Sequence, residues 1–254
     1  MDLGLKGRRA LVTGGTRGIG RAIALALAAE GVDVGLCARD GAAVAATVEA
    51  LQARGVRAEG RALDVADGEA LRAWVTETAT RFGGLDILVA NTSAMAEGAT
   101  EAEFRKAFEV DVLHTLNAVT AALPFLARSA GGSIVAISSI SGSEDYGYAG
   151  VSYGAMKAAL LFYMKSLARH VAPQGIRANV VSPGTTYFTG GFWHEVEIRD
   201  PKGFAETLAE NPMGRMARPE EIANAVVFLA SDAASFVSGT NLVVDGTLTR
   251  RIQL

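Results

Sequence analysis

Three features of the sequence predict an open, doubly wound α/β sheet. Short apolar runs alternate with longer helical patterns along the chain. A glycine-rich turn follows the first of those runs. No linker-like stretch or composition break divides the 254 residues. Strands apolar on both faces with helices between them belong to a parallel sheet covered on both sides. A (β/α)8 barrel has a similar length, but a glycine-rich turn after the first strand favours the open sheet. One domain is expected over residues 1–254.

Each element has its own signal. "RALVT" (Arg9–Thr13) is a buried strand by length and flanks. The Ala- and Leu-rich run Gly18–Gly31 is a helix closed by glycine. Val32–Ala38 is the second strand, and Asp40–Gly55 a helix with Asp40 as a possible cap. Val56–Val65 is a strand with a polar end, followed by a helix over Asp67–Gly83. Leu85–Asn91 and Gly132–Ser138 are strands too apolar to face water on either side. Between them, Thr100–Ser129 looks like one long helix running into Pro124 near its end. Val151–Val171 is helical, Ile176–Val181 a strand, Pro219–Ser231 the last helix and Thr240–Gly246 the last strand. That makes about seven strands.

Bulk properties exclude several classes of function. Half the residues are hydrophobic and 29 are glycine, so a large core is available and disorder is not expected. A net charge of −3, without a run of Lys and Arg, argues against a nucleic-acid or membrane-surface partner. Cys37 is the only cysteine, which precludes an internal disulfide and fits a reducing compartment. No apolar stretch of signal-peptide length precedes the first charges, and no segment approaches the ~20 apolar residues of a membrane span. A soluble cytoplasmic protein is expected. His114, His170 and His194 lack metal-ligand spacing, so no metal is expected.

The loops carry the chemistry. "TGGTRGIG" (Thr13–Gly20) joins the first strand to the first helix, with Gly14, Gly18 and Gly20 around Thr16, Arg17 and Ile19. Glycines there allow a tight turn and let backbone approach a pyrophosphate at the helix N-terminus. The alternative is a turn that merely tolerates glycine; strand before and helix after favour the nucleotide. An acidic side chain ending the second strand would bind a ribose 2′-hydroxyl and repel a 2′-phosphate. This chain has Ala38 and Arg39, with Arg17 in the glycine turn, and two guanidiniums suit a phosphate. NADP(H) is therefore expected over NAD(H), which stays possible because Asp40 follows at once. In "SYGAMK" (Ser152–Lys157), Tyr153 and Lys157 are four residues apart and share one helix face. Taken alone, the pair reads as an ordinary tyrosine and lysine on a helix surface, because Tyr-x-x-x-Lys is common by chance.

Several segments in order resemble the short-chain dehydrogenase/reductase family over nearly the whole length. They are "TGGTRGIG", "LDV" (Leu63–Val65), "DILVAN" (Asp86–Asn91), "SSISG" (Ser138–Gly142), "YGAMK" (Tyr153–Lys157), "IRANVVSPG" (Ile176–Gly184), "RPEEIA" (Arg218–Ala223) and "VSGTNLVVDG" (Val237–Gly246). The resemblance implies a Rossmann-like fold and an oxidoreductase that interconverts a carbonyl and a secondary alcohol. It implies that Tyr153 is the general acid, that Lys157 holds the nicotinamide ribose and favours the phenolate by its charge, and that Ser139 hydrogen-bonds the substrate oxygen. Ser138 and Ser141 are rivals for that last role. Asp64 and Val65 would border the adenine, and Asn91 would lie beside the cofactor. Pro183 and Gly184 would open the loop holding the nicotinamide carboxamide, with Thr186 or Thr189 supplying a hydroxyl. A homotetramer or homodimer is also implied. These roles fit elementary chemistry, since hydride addition to a carbonyl creates an alkoxide that needs a positioned proton donor.

Two positions depart from the family pattern. "ANTS" (Ala90–Ser93) stands where Asn-Asn-Ala-Gly is usual, so Ser93 replaces a glycine. Asp111 stands where an asparagine usually holds a water on the proton relay to the lysine. Aspartate accepts hydrogen bonds but does not donate when ionised, and its charge would favour a protonated Lys157. A working relay with altered pH dependence is expected. Thr185–Asn211 is the least regular segment, a substrate lid carrying Tyr187, Phe188, Phe192, Trp193 and His194, with Gly190 and Gly191 as hinges. The aromatics suit an apolar, ring-bearing or acyl substrate, or simply pack the lid. Tyr146 and Tyr148 are further pocket candidates. Acyl-carrier ketoreductase, sugar or polyol dehydrogenase and cyclic-alcohol dehydrogenase all remain open. Other readings are a nucleotide-binding sensor or scaffold without turnover, and a dehydratase or epimerase on the same fold.

Overall fold

The computed structural model describes residues 2–147 and 150–252. Its strands are β1 (Arg9–Thr13), β2 (Asp33–Ala38), β3 (Ala58–Ala62), β4 (Ile87–Ala90), β5 (Ser133–Ile137), β6 (Arg177–Pro183) and β7 (Asn241–Val244). They form one sheet in the order β3-β2-β1-β4-β5-β6-β7, with every pairing parallel. The chain moves outward from β1 to β3, then returns to the other side of β1 with β4. The C-terminal ends of β1 and β4 therefore flank the crevice where such sheets bind ligands.

The helices are α1 (Gly18–Ala29), α2 (Gly41–Gln52), α3 (Gly68–Phe82), α4 (Glu101–Ala107), α5 (His114–Leu126), α6 (Val151–Val171), α7 (Phe192–Arg199), α8 (Pro201–Ala209) and α9 (Pro219–Ala230). Side chains alternate between two apolar layers along the central strands. Val12, Val89 and Val135 face α1, α2 and α9; Leu11, Leu88 and Ile134 face α3, α5 and α6. This two-sided burial explains the absence of a polar face in these strands. β3 ends the sheet with only Ala58 buried, and at Ala58–Ala62 it is shorter than its sequence suggests.

Two expectations are corrected. The run Thr100–Ser129 is helical but not uniformly α: a π-helical segment, Phe108–Leu113, separates α4 from α5. The segment 185–211 is not irregular, since α7 and α8 fill most of it. The Thr185 hydroxyl donates to Asn211 Oδ1 at 2.8 Å in a buried contact, tying the two ends of that segment together.

Arg177, at the start of β6, is buried and caps α9. Its guanidinium donates to the carbonyls of Leu229 (2.6 Å), Ala230 (3.3 Å) and Ser231 (3.0 Å). Burial lowers its pKa, but the C-terminal carbonyls of a helix are a favourable place for a cation. Arg177→Leu should lower the free energy of urea unfolding by about 2–3 kcal/mol, because three carbonyls lose a charged donor. An unchanged urea midpoint would show the cap to be dispensable.

Candidate functional site

The glycine turn begins at the C-terminal end of β1. Gly14 has φ +65°, a left-handed conformation, and a Cβ on Gly20 would lie 2.1 Å from Gly14 O. No larger residue fits that approach. Asn91, just past β4, donates its side-chain amide to Thr13 O (3.0 Å) and Gly14 O (3.3 Å). Its amide group thus shapes the turn.

His114 braces the same corner. Thr13 Oγ1 accepts from the amides of Asn91 (3.0 Å) and Thr92 (3.3 Å), so its one hydrogen goes to His114 Nε2 at 2.9 Å. The other ring nitrogen, Nδ1, then carries the proton and donates to Val110 O at 2.9 Å. Burial drives the histidine pKa down to about 4, with Asp111 opposing, so the ring is neutral.

The fit to a dinucleotide rests on this geometry. α1 starts without a side-chain cap or an acidic residue in its first turn, leaving amides for an anion. The Thr92 hydroxyl oxygen is buried without a hydrogen-bond partner among the described residues, and a Cβ on Gly14 would lie 3.0 Å from it. A buried polar atom of this kind normally has a partner. Thr92 was not foreseen from the sequence. Arg39, just past β2, and Arg17, in the glycine turn, are both exposed. Asp40 is committed to α2, its carboxylate accepting from Ala42 N (2.9 Å) and Ala43 N (3.1 Å). Asp64 and Val65 follow β3 at the same edge of the sheet, Asp64 exposed and Val65 buried.

The second half of the site is built on β5, α6 and the π-helical segment. Ser138 and Ser139 follow β5. The Ser138 hydroxyl donates to Lys157 O at 2.9 Å, which removes it as a rival. Ser139 Oγ accepts from Ser141 N at 3.1 Å, which leaves its own hydrogen uncommitted among the described residues. α6 is fixed at its start by Ser152, whose hydroxyl donates to Ala96 O at 3.1 Å. One turn apart on α6, Tyr153 and Lys157 share a face, with Nζ 5.5 Å from the ring centroid.

Lys157 is 1% exposed. Its Nζ donates to Ile137 O at 3.0 Å and pairs with Asp111 Oδ1 at 2.9 Å. Burial opposes the ammonium, but Asp111 and then Tyr153 outweigh it, so the lysine pKa is raised. Burial likewise opposes the Asp111 carboxylate, and Lys157, with help from Ser93 and the Ala94 amide, holds its pKa below the usual range. Ala94 N donates to Asp111 Oδ2 at 3.1 Å.

The π-helical segment brings Asp111 to α6. A π turn displaces the i→i−4 ladder, and such bulges are frequent at functional sites. Here the carbonyls of Val110 and Asp111 are served by side chains four residues on, His114 Nδ1 (2.9 Å) and the Thr115 hydroxyl (2.8 Å).

Past β6, Pro183 is buried and Gly184 abuts Asp245; a Cβ on Gly184 would lie 2.8 Å from Asp245 Cα. Thr186 follows Gly184 and Thr185 on the same loop. It is buried, and its hydroxyl donates to Gly184 O at 3.2 Å. Thr189 is exposed on a turn. Tyr187 packs within the 185–211 segment: its hydroxyl donates to Glu197 on α7, and its ring meets Phe204 of α8 edge-on at 6.0 Å. Tyr146 is half exposed; burial first, then Glu144 and other carboxylates, push its phenol up to about 12. Tyr148 lies outside the described residues.

A family model described as enoyl-(acyl carrier protein) reductase matches residues 14–249. Isoepoxydon dehydrogenase of Penicillium expansum is 40% identical over 254 residues, 97% of this chain and 96% of that protein. The chain belongs to the short-chain dehydrogenase/reductase family. Among solved members, the L-sorbose reductase from Gluconobacter frateurii, complexed with NADPH and L-sorbose, matches with TM-score 0.92 and 31% identity, covering 99% of this chain and 100% of that one. A short-chain dehydrogenase from Burkholderia cenocepacia in complex with NADP matches with TM-score 0.87 and 33% identity, covering 96% and 98%. As a short-chain dehydrogenase/reductase, the chain is an enzyme working between CH–OH and C=O with NAD(P). No helix among the described residues is long and apolar enough to cross a membrane.

Proposed function

We propose that this enzyme is an NADP(H)-dependent oxidoreductase that interconverts a carbonyl and a secondary alcohol, with Tyr153 as general acid and base. The observation that carries the reading is the buried Lys157 ammonium, fixed by Asp111 and Ile137 O one turn from Tyr153. When bound beside these residues, NADP(H) would supply the hydride for reduction or take it up in oxidation. Ser139 donates its uncommitted hydrogen to the substrate oxygen, and Tyr153 gives that oxygen its proton. Lys157 stabilises the resulting phenolate, and Asp111 keeps Lys157 charged as the inner end of the relay.

Gly14, Thr16, Arg17, Gly18, Ile19 and Gly20 hold the cofactor's pyrophosphate side, with Asp64 and Val65 at the adenine. Asn91, Tyr153, Lys157, Pro183 and Gly184 border its nicotinamide half. Arg39, with Arg17, takes the 2′-phosphate; the withdrawal of Asp40 into its cap supports NADP(H) over NAD(H). Residues 185–211 form the substrate lid of a single 1–254 catalytic domain. Membership of the family supports a homotetramer or homodimer, with the exposed Phe162 on α6 as a candidate contact. A cytoplasmic location is supported by the single, buried Cys37.

The test is a substrate panel followed at the nicotinamide absorbance with NADPH and NADH side by side. It includes L-sorbose, cyclic ketones and acyl thioesters. NADPH should be preferred, and Arg39→Ala should cost about 10–100-fold in kcat/KM with NADPH and little with NADH. Better use of NADH by the unaltered enzyme would overturn the assignment of Arg17 and Arg39. Dinucleotide binding without turnover across the panel would instead favour a sensor.

A further inference from the structure

We propose that Phe188 sets dinucleotide affinity by occupying the surface that the cofactor's pyrophosphate takes. The inference rests on the nucleotide-binding reading of the glycine turn. Gly191 N donates to Phe188 O at 3.0 Å, closing a tight turn over residues 188–191 in which Gly190 has φ +77°. That turn sets the Phe188 ring against Gly18, the first residue of α1. A Cβ on Gly18 would lie 2.4 Å from ring Cζ, and one on Gly191 would lie 2.6 Å from the same atom. The ring is thus held between the turn and the start of the helix.

The surface it covers has a different natural occupant. The first amides of α1 have no side-chain acceptor. Such amides favour an anion, and a phenyl ring accepts no conventional hydrogen bond from them. The same turn also reaches Arg17, whose Nη1 donates to Gly190 O at 3.5 Å. One short turn therefore engages both the helix start and Arg17. A pyrophosphate on the helix amides displaces the ring from Gly18 and frees Arg17 from Gly190. The flanks are fastened, by Thr185 to Asn211 and by Tyr187 N to Ala217 O at 2.9 Å, so the displacement is confined to the turn. The work of moving the ring off Gly18 weakens cofactor binding.

The experiment compares the unaltered enzyme with Phe188→Ala and Phe188→Leu. NADPH and NADH are titrated by cofactor fluorescence and followed by stopped flow, with adenosine, which has neither pyrophosphate nor 2′-phosphate, as the control ligand. Phe188→Ala should bind both dinucleotides about 10-fold tighter, mainly through faster association, with Phe188→Leu intermediate. Binding of adenosine should be the same in all three. Weaker or equal dinucleotide binding by the variants overturns the proposal, as does an equal gain for adenosine. Thermal melting without nucleotide identifies a variant that fails to fold; the leucine variant, which keeps an apolar side chain against Gly18, carries the test in that event. If none of the three proteins takes up either dinucleotide, the nucleotide-binding reading falls together with this one. A preference for NADH leaves the pyrophosphate comparison intact.

Discussion

Tyr153→Phe should lower kcat by about 10²–10⁴-fold while leaving NADPH affinity within a few-fold of the unaltered enzyme. The phenylalanine keeps the ring, its packing on α6 and its place beside Lys157, and removes one oxygen. That oxygen is the proton donor in the proposed reaction. The alkoxide formed by hydride addition then has only Ser139 for stabilisation, and a hydrogen bond without proton transfer leaves most of the barrier in place. Because the loss falls on the chemical step, kcat and kcat/KM should drop together. Measuring both, with the NADPH dissociation constant from fluorescence, separates this from a binding defect. Retention of more than about a tenth of kcat would remove Tyr153 from its role and turn attention to Ser139 or an ordered water. Ser139→Ala should cost less, about 10²-fold, as the loss of one preorganised donor.

The sequence is most legible where burial and chemistry act locally. β1 and α6 run as their apolar patterns suggest, because one is a strand covered on both faces and the other a long helix with Arg169 in its last turn. The Tyr153–Lys157 spacing survives because i,i+4 geometry belongs to any α-helix. The π-helical segment is a different matter. An α turn and a π turn bury nearly the same stripe of side chains, so hydrophobic periodicity does not separate them. The available signal is finer: His114 and Thr115 each stand four residues after a carbonyl that the displaced ladder leaves to them. α7 and α8 are hard to see in the sequence because they are short and interrupted by Asp200 and Pro201, which read as breakers although they cap and start a helix. Thr92 and Phe188 depend on contacts some 80 and 170 residues away in sequence, with Gly14 and Gly18, and no local pattern reports them.

Asp111→Asn is expected to retain hydride transfer and to move the alkaline limb of the pH–rate profile toward lower pH. In the native site, burial alone would make Lys157 shed its proton easily; the carboxylate at 2.9 Å reverses that and lifts the lysine above its ordinary value of 10.5. Asparagine still offers a carbonyl to Nζ but no charge, so burial then prevails and the ammonium is lost at lower pH. The same change bears on stability. Removing one partner of a buried ion pair leaves the other uncompensated, at a cost of about 3–5 kcal/mol for alanine and less for asparagine, which keeps a dipole. Linkage fixes where that cost is seen. A lysine raised in the native state contributes stability that is complete below the unfolded value of 10.5 and lost as pH rises through the folded one. The gap in urea stability between the two proteins should therefore be full at neutral pH and narrow in strongly alkaline solution. An unchanged pH–rate profile in Asp111→Asn would remove Asp111 from the relay and leave it a structural partner of Lys157. A stability gap that stayed constant with pH would mean that the charge of the pair, as distinct from its packing, is not what the aspartate contributes.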